Sequence, residues 1–539
     1  MRFGPAEPDL ILLARRCHPL CPHAGRPDAV VITGGRIVRV GPRSRLRREA
    51  TRRTRVVDLG SCVLTPGLVD SHTHFFYWAL ERALVINVAG MQTKDGALDR
   101  IRTEAPRKTV GDWVIADGFN YNAWGGDFPT ARDLDRAVSA RPVMVRSRDW
   151  HTVWLNSAGL RSVGITARTP DPKGGRILRD TRGQPTGILQ EAAVAGLPNP
   201  VRDLACRRDA STLRRIDRAL ADAYAVAWSR GLVRVHCVDD GVALWHLQRQ
   251  RHAGRLGIRF VHSIPLGAIA HAEELGLAAG LGDDWLRLGA AKIFTDGSLG
   301  SQTAYMYDAY PGRPGFHGVP VLVGEELRET VVRIARQGWP VWVHAIGDRA
   351  VHDTVAAIAA ARRVEPRPLP HRIEHVQCAR PTDLRRMARL GIAASVQPSH
   401  LIGDIPTADR HWPRARRNTY AFRRMLAYGV TLAAGSDVPI EQLDPRLGLF
   451  AAVCRTDLAG RPGGGWFRGQ KLTVEEALRA FTVGAAASVG QGPPAGTLAP
   501  GALADLTIWR DDPLAAPPEI LPHVGIAGCV VGGEVHLTE

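Results

Sequence analysis

The sequence predicts an α/β fold: a (β/α)8 TIM-like barrel with a small composite β-sandwich from both termini and an inserted lid subdomain. Eight short apolar runs alternate with helical stretches, which is the pattern of a parallel barrel. Both ends of the chain carry short hairpin-like segments, and a long gap separates the first and second apolar runs. These three observations predict the fold class independently of any single motif.

The composition is that of a globular protein with a sizeable core. Of the 539 residues, 45% are hydrophobic, and no apolar run approaches the ~20 residues of a membrane span. The segment from Met1 to Leu13 lacks the charged-then-apolar order of a signal peptide, so we expect a cytoplasmic protein without membrane contact. Eight cysteines without paired spacing predict reduced thiols.

The formal net charge of +17 makes nucleic acid a partner to consider. The positive charge is carried almost entirely by arginine and is spread along the chain. Its densest runs lack interleaved aromatic residues and any nucleic-acid motif. We therefore expect no nucleic-acid partner.

Two β segments at opposite ends of the chain predict one composite sandwich. Apolar stretches flank Gly34-Gly35, which is a hairpin signal, and residues 528–537 have the same texture. Each segment can bury its apolar face only against a partner, so we expect the two ends to pair. The predicted limits of the two halves are residues 1–62 and 490–539.

The predicted barrel domain covers residues 63–489. Its candidate strands are residues 63–69, 232–238, 258–264, 286–294, 341–345, 372–376, 393–396 and 430–434. The gap after the first run is too long for one crossover helix, so it must hold an insertion at about residues 80–215, which we interpret as a lid or substrate-shaping subdomain. A capping box of Thr473 and Glu476 predicts the start of a helix over 474–487.

His72 and His74 follow the first predicted strand. Alternate side chains of an extended backbone point to the same side, so both imidazoles face one way. Two neutral imidazoles can hold a divalent transition metal. Asp70 lies two residues earlier on the same face, where its carboxylate could accept a proton from a ligand ring and orient it. The alternative is that two polar histidines simply leave the strand into a loop.

Further polar residues stand at the C-terminal ends of later strands, which is where barrel active sites are built. They are Lys292, His344, His375 and Asp437, on the fourth, fifth, sixth and eighth strands. A lysine within an apolar strand is costly to bury as a free ammonium, whereas carboxylation would make it an anionic ligand able to bridge two metals. Any one of these residues could be a satisfied core polar group, but their joint placement predicts a site.

The residues around these positions resemble amidohydrolase family 3 of the amidohydrolase superfamily, and within it the N-substituted formamide deformylase-like branch. The motifs that carry the resemblance are Pro-Gly-Leu-Val-Asp-Ser-His-Thr-His at 66–74, Lys-Ile-Phe-Thr-Asp-Gly-Ser-Leu-Gly-Ser at 292–301, His-Ala-Ile-Gly-Asp-Arg-Ala at 344–350, Arg-Ile-Glu-His at 372–375 and Gly-Ser-Asp-Val-Pro at 435–439. The resemblance covers essentially the whole chain, and no ligand position is missing from it.

The resemblance implies a barrel, a composite sandwich and one or two divalent metal ions, usually zinc. The implied ligands are His72, His74, Lys292, His344, His375 and Asp437. His72 and His74 would hold the more buried ion, His344 and His375 would hold a second, more exposed ion, and Asp437 would also be the general base. Lys292 is carboxylated in one version of this centre and unmodified in the other, so both one and two ions stay open.

Four residues are candidate substrate contacts: His151, Trp78, Tyr121 and Asp296. His151 follows a strand predicted within the insertion, and Trp78 closely follows the metal motif. If the aromatic residues face the metal, the substrate should carry an apolar or aryl substituent. The alternative is that these side chains only pack under the lid.

We expect a metal-dependent hydrolase acting on carbon–nitrogen bonds other than peptide bonds. It would use metal-activated water on a linear amide of the N-substituted formamide or N-acyl type, and the lack of a Gly-x-Ser-x-Gly elbow favours direct attack by water. The same metal chemistry on a cyclic amide, a deamination or an ester is one alternative, and a non-catalytic barrel scaffold is another. The expected partner is a small-molecule amide, and the expected assembly is a homodimer.

Overall fold

A computed structural model describes residues 7–23, 25–125, 127–147, 152–172 and 175–538. Its central sheet has eight strands, and each strand pairs in parallel with the next along the chain. In chain order they are β1 (Leu68–Thr73), β2 (Leu232–Cys237), β3 (Arg259–Pro265), β4 (Leu286–Phe294), β5 (Val341–Ala345), β6 (Arg372–His375), β7 (Ala393–Val396) and β8 (Leu432–Ala434).

The sheet closes next to the predicted metal ligands. β8 and β1 lie at its two ends. Beyond β8, the Asp437 N–H donates to the His72 carbonyl at 2.8 Å, and the His74 N–H donates to the Val438 carbonyl at 2.9 Å. The predicted parallel barrel is therefore confirmed, and the hydrogen bonds that join its two ends come from residues of the metal motifs.

The first predicted strand is divided in the structure. The run 63–69 becomes Val63–Pro66, which pairs antiparallel with Leu506–Trp509, and then β1. Gly67 lies between the two strands, and a β-carbon there would lie 2.4 Å from Cγ2 of Val233, so only glycine lets the chain pass this close to β2. The prediction was wrong here because a continuous apolar run does not show where a chain changes sheets.

The compact unit that contains the barrel runs up to Phe75 and resumes at Tyr224. Its α-helices are Arg43–Leu46, Gly241–His252, Ile269–Glu274, Gly324–Arg336, Asp348–Val364, Pro381–Leu390, His400–His411, Phe422–Ala427, Pro445–Cys454, Val474–Ala480 and Val483–Ala487. Its 3-10 helices are Arg47–Glu49, Leu266–Ala268, Arg416–Asn418, Arg468–Gln470 and Pro518–His523. Within the described ranges, no helix is both long enough and apolar enough to cross a membrane.

The predicted capping box is present at the start of Val474–Ala480. The Thr473 N–H donates to Oε2 of Glu476 at 2.7 Å, and the Glu476 N–H donates to Oγ1 of Thr473 at 3.2 Å. The single helix predicted over 474–487 is divided, because Thr482 leaves the helical region with φ −133° and ψ −89°.

The two ends of the chain form two further sheets. One has the strand order Arg36–Gly41, Ala29–Thr33, Leu10–Leu13 and Arg55–Asp58, and the other has the order Arg16–Cys17, Val63–Pro66, Leu506–Trp509, Ile526–Val531 and Glu534–Leu537. The second sheet joins the two ends of the chain, because Val63–Pro66 from the N-terminal part pairs with Leu506–Trp509 from the C-terminal part within it. Leu12, Leu64 and Val530 share one buried apolar core. This is the composite β structure that the two terminal hairpin signals predict.

The segment from Phe76 to Ala223 forms a compact unit of its own. Its six-stranded sheet has the order Gly175–Arg179, Pro185–Glu191, Thr152–Leu155, Val143–Ser147, Val114–Phe119 and Ile86–Asn87. The helices of this part of the chain are Phe75–Leu84, Lys94–Glu104, Tyr121–Trp124 (a 3-10 helix), Ala131–Ala137, Ser157–Ser162, Ala192–Ala195, Pro200–Cys206 and Ala210–Ser229. Trp154 and Phe119 lie in its own buried core. The predicted insertion, about 80–215, falls inside this unit.

Candidate metal centre

Three side chains from distant parts of the chain meet at the C-terminal end of the barrel. His72 lies on β1, His375 ends β6, and Asp437 follows β8. One ligand atom of each lies within 4.8 Å of the others, and all three residues are buried. The rings of His72 and His375 have centroids 4.9 Å apart, and Nε2 of His72 lies 3.5 Å from Oδ1 of Asp437. Two imidazoles and a carboxylate form a donor set that suits zinc and similar ions.

The two other predicted histidines flank this group. Nε2 of His74 lies 3.7 Å from Oδ1 of Asp437. The His344 ring lies 4.5 Å from the His375 ring between centroids, and its Nε2 lies 3.1 Å from the carbonyl oxygen of Gly297. The structure therefore brings all the predicted histidine ligands to one end of the barrel.

The backbone is strained at two of these positions. His375 has φ 73° and Asp437 has φ 61°, in the left-handed region that side chains other than glycine rarely adopt. Each such residue costs on the order of 1–3 kcal/mol and persists only where its surroundings impose it. Here the Asp437 N–H is held by the His72 carbonyl, and the N–H of Val376 donates to the Ala345 carbonyl at 3.1 Å. Hydrogen bonds to neighbouring barrel strands thus hold both candidate ligands.

Glu374 orients the ring of His72. The Nδ1–H of His72 donates to Oε2 of Glu374 at 2.6 Å, and Nε of Arg372 donates to Oε1 at 2.5 Å. Burial acts to raise the pKa of Glu374, but the charges of Arg372 and Lys292 outweigh it and hold that pKa below its usual value. Because the ionised carboxylate only accepts, it fixes the tautomer that leaves Nε2 of His72 free for a metal.

Asp70 has a different role from the predicted one. Its Oδ1 accepts from the backbone N–H groups of His72, at 3.2 Å, and Ser436, at 2.9 Å, so it ties β1 to the segment after β8. The His74 ring is oriented by Asp239, whose Oδ1 accepts from Nδ1–H at 3.1 Å. Burial acts to lower the pKa of His74, but the hydrogen bond and charge of Asp239 outweigh it and raise that pKa. Strand alternation predicted the side of Asp70 but not these backbone donors.

The other histidines of the centre are held neutral. Burial lowers the pKa of His72 and the pKa of His375 well below the usual range. Burial, helped by the nearby charge of Lys292, lowers the pKa of His344 to about 3. Burial also raises the pKa of Asp437, which makes its carboxylate a stronger base. Neutral imidazoles keep the lone pair that a metal ligand needs.

Lys292 is buried on β4, and its Nζ has no hydrogen-bond partner among the described residues. It lies 4.8 Å from the centre of the Phe294 ring. Burial lowers the pKa of Lys292 to about 8. An amine without a partner in such surroundings is unusual, and its neutral form is the one that can take up carbon dioxide as a carbamate. The carboxylated ligand stays a prediction.

Asp296, a predicted substrate contact, is buried with both carboxylate oxygens engaged. Oδ1 accepts from the Ile346 N–H at 3.0 Å, and Oδ2 accepts from the N–H groups of Gly347 and Tyr305, both at 2.8 Å. Burial raises the pKa of Asp296 to about 7. Its oxygens hold three backbone segments together, and a substrate contact from it stays a prediction.

The remaining predicted substrate contacts belong to the second unit. Tyr121 packs against Phe128 with ring centroids 4.1 Å apart. Trp78 is half-buried on the helix Phe75–Leu84. His151 lies outside the described residues. Their roles in substrate binding stay predictions.

Sequence reasoning missed three residues around the centre: Asp239, Glu374 and His400. Nε2 of His400 lies 3.8 Å from Oδ2 of Asp437. Asp239 and His400 stand just beyond β2 and β7, so their position after strand ends was a usable signal. Glu374 points to His72 from within β6, and nothing in the sequence indicates that pairing.

The residues of this centre fit a bound divalent cation. Nδ1 of His375 and Nζ of Lys292 are buried and have no hydrogen-bond partner in the part of the chain that is described. Buried polar atoms normally have partners, so clustered nitrogen and oxygen donors with none are suited to an ion or a ligand.

Comparison with known proteins shows similarity to hydrolases along most of the chain. Residues 55–536 match the profile of a family described as the amidohydrolase family. YtcJ of Bacillus subtilis is 31% identical over 521 residues, which are 95% of this chain and 96% of that protein. The N-substituted formamide deformylase of Arthrobacter pascens is 27% identical over 499 residues, 90% of each chain. The crystal structure of an uncharacterized metal-dependent hydrolase from Pyrococcus furiosus has a TM-score of 0.77 and 25% identity, and the match covers 94% of this chain and 99% of that one.

Proposed function

The chain belongs to the amidohydrolase family, and on that premise we propose that it hydrolyses the C–N bond of a non-peptide linear amide, of the N-substituted formamide or N-acyl type. The observation that carries the proposal is the meeting of His72, His375 and Asp437 at one point. The similarity to a formamide deformylase along 90% of the chain supports the substrate class.

Zinc is the resident ion in this proposal. His72, His74, His375 and Asp437 would hold it. The resemblance assigns His375 to a second ion, but its ligand atom lies within 4.8 Å of those of His72 and Asp437, which supports the first. His344 with a carboxylated Lys292 would complete a centre of two ions. A bound zinc ion would supply Lewis acidity, which lowers the pKa of a water molecule and polarises a carbonyl group. The lowered pKa values of His72 and His375 support their part in this assignment, because protonated rings could not act as ligands.

Asp437 moves the proton in the proposed reaction. It takes a proton from the attacking water as the water oxygen bonds to the carbonyl carbon. It then gives that proton to the leaving nitrogen as the C–N bond breaks. The products are a carboxylic acid and an amine, formate and a primary amine for an N-substituted formamide. Burial of Asp437 supports this role, because a raised pKa makes it a better base.

Phe294 supports an apolar or aryl substituent on the substrate. It ends β4 and is 46% exposed, which is unusual for a phenylalanine at the end of a buried strand. Its ring lies 5.2 Å from the His344 ring between centroids. An exposed aromatic face beside the metal centre offers an apolar wall to a substituent.

The assembly and location belong to the same proposal. We propose a cytoplasmic homodimer with domain limits at 1–62, 63–489 and 490–539. The eight cysteines are thiols rather than disulfides, which supports a reducing compartment. Closed two-fold assemblies are the commonest among oligomers, which supports the dimer.

The test uses zinc-loaded protein and a small panel: N-phenylformamide, N-phenylacetamide, hydantoin, adenosine and phenyl acetate. Products are identified by NMR, and formate with aniline from N-phenylformamide is the expected result. Asp437→Asn should lose most of the rate, by about 100-fold or more. Asp222→Asn, the same change at an exposed helix position, is the matched control.

Each other outcome rejects the proposal in a distinct way. The preferred substrate would belong to another class if the main product were ring-opened hydantoin, ammonia from adenosine or phenol from phenyl acetate. Equal rates for Asp437→Asn and wild type would reject the mechanism. Purified protein that binds no divalent transition metal would favour a non-catalytic scaffold.

A further inference from the structure

The segment after the seventh barrel strand places a side chain next to the predicted metal ligands. β7 ends at Val396, and His400 is the first residue of the helix His400–His411 that follows. Nε2 of His400 lies 3.8 Å from Oδ2 of Asp437, and its ring centroid is 6.3 Å from that of His375. Because active sites are built at the C-terminal ends of barrel strands, His400 stands where a participant in the reaction is expected.

A chain of polar groups behind His400 places an amide donor next to Nδ1 of its ring. The hydroxyl of Tyr420 donates to Oδ2 of Asp404 at 2.5 Å, which uses the only proton of the phenol. The side-chain atom of Gln377 that lies 2.7 Å from this phenol oxygen must therefore be a donor, which makes it Nε2. The same nitrogen lies 3.3 Å from Nδ1 of His400 and 3.3 Å from Oδ2 of Asp404, so both atoms are acceptors within reach of its second proton.

When Nδ1 of His400 accepts from this amide, the proton of the ring is on Nε2. Nε2 is buried and makes no hydrogen bond with any described residue. A buried donor left without an acceptor costs about 1–3 kcal/mol, so a site with this feature favours a ligand that brings an acceptor. Asp437 lies beside this N–H, so that ligand would sit at the reacting centre.

His400 stands apart from the residues whose ligand atoms share one centre. That group consists of His72, His375 and Asp437, with one atom of each within 4.8 Å of the others. A nitrogen that carries a proton is also unable to bind a metal through the same position. The N–H of His400 is therefore available to a substrate at the edge of the ion site.

We propose that Nε2–H of His400 donates a hydrogen bond to the carbonyl oxygen of the amide substrate. Tyr420, Asp404 and Gln377 are then positioning residues that hold the ring in this tautomer. The inference rests on the proposed function, because it names a group that contacts the reacting carbonyl. As water adds to the carbonyl carbon, negative charge grows on this oxygen and the hydrogen bond strengthens. Loss of one such donor lowers kcat by about 100-fold to 1000-fold.

Three variants of the zinc-loaded protein test the proposal with N-phenylformamide. His400→Phe removes the donor, and His400→Gln places an amide N–H close to the position of Nε2. His411→Gln makes the same change at the other end of the helix and is the matched control. The measurements are kcat, KM and zinc content by mass spectrometry.

The proposal predicts full zinc content in all three variants. For His400→Phe it predicts a KM near that of wild type and a kcat lower by about 100-fold or more. His400→Gln should recover part of this loss, and His411→Gln should match wild type. Zinc loss in His400→Phe would identify a metal ligand instead, and an unchanged kcat would show that no such hydrogen bond contributes; either result overturns the proposal.

A second readout needs no substrate. In protein labelled with 15N-histidine, the ring signals that disappear in His400→Gln belong to His400. Their shifts should report the Nε2–H tautomer, and an Nδ1–H tautomer would overturn the proposal. Inactivity of the wild type toward every amide would reject the proposed function, while the ring signals would still decide whether His400 offers its N–H.

Discussion

The Nδ1–H of His72 donates to Oε2 of Glu374 at 2.6 Å, across 302 positions of the chain. Both side chains are fully buried, and the second oxygen of Glu374 is held by Arg372. This pair joins β1 to β6 inside the barrel and turns Nε2 of His72 toward Asp437. An orienting carboxylate of this kind raises the basicity of the ligand and fixes its direction.

Glu374→Gln should therefore weaken metal binding. The amide has no charge, and it cannot accept from both His72 and Arg372, so zinc affinity should fall by about 10-fold to 100-fold. The measurement is a chelator competition, with Glu326→Gln at an exposed helix position as the control. If Arg372 left without its partner prevents folding, Arg372→Met in the same chain removes the buried charge. Equal zinc affinities for the variant and wild type would contradict the role given to Glu374.

Lys292→Met should separate stability from function. The buried Nζ has no hydrogen-bond partner among the described residues, so replacing it by an apolar side chain of similar length should stabilise the metal-free protein by about 1–3 kcal/mol. The same change should lower zinc content and the rate of amide hydrolysis. Urea unfolding and metal analysis check the two effects, with Lys94→Met, which removes a partly exposed ion pair with Asp133, as the comparison. A destabilised variant with full zinc content would contradict this reading of Lys292.

Gly67→Ala should destabilise the junction between the terminal sheet and β1. The added β-carbon would lie 2.4 Å from Cγ2 and 2.7 Å from Cγ1 of Val233, and overpacking of this kind typically costs about 1–3 kcal/mol. Gly241→Ala is the matched control, because a β-carbon there meets nothing within 4 Å. Thermal unfolding of both variants checks the difference, and equal midpoints would show that the chain does not need glycine at 67.

Glu476→Gln should reveal a pH-dependent contribution to stability. The hydrogen bond from Arg423, against the opposing effect of burial, lowers the pKa of Glu476 to about 2. A carboxyl with a lowered native pKa stabilises the fold above its unfolded pKa, and that stabilisation is lost as the pH falls toward the native value. For this partly exposed pair we expect a loss of about 1 kcal/mol in the variant at pH 7.

That difference should shrink as the pH is lowered from 4.5 toward 2. Urea unfolding at several pH values measures it, and Glu519→Gln at an exposed position should show no such trend. A difference that stays constant from neutral to acid pH would exclude the ionised Glu476 as its source.

The sequence predicts the barrel well because each strand is a local apolar run. All eight strands lie within or close to the predicted ranges, and the error at 63–69 has a physical reason. The apolar pattern is the same on both sides of Gly67, so only the three-dimensional approach to Val233 shows that the chain leaves one sheet and enters another. Hydrophobic periodicity indicates that a strand is buried, but it does not indicate which sheet the strand belongs to.

The sequence predicts those residues of the candidate site that belong to short motifs at the ends of strands. His72, His375 and Asp437 have such motifs, and the structure brings them together. Glu374 orients His72 across 302 positions of the chain, and a sequence without its fold carries no record of that pairing. His400 follows a strand end, which was a usable signal, but its position beside Asp437 is visible only in the fold. The residues that orient and surround a ligand are therefore the ones that structure adds.

Anomalous X-ray diffraction at the zinc edge, on crystals of the zinc-loaded protein, tests the central claim most directly. The account predicts a strong anomalous peak at the position of a zinc ion bonded to His72, His375 and Asp437. A zinc-loaded crystal whose anomalous peaks all lie elsewhere, with these three side chains bonded to no ion, would contradict it.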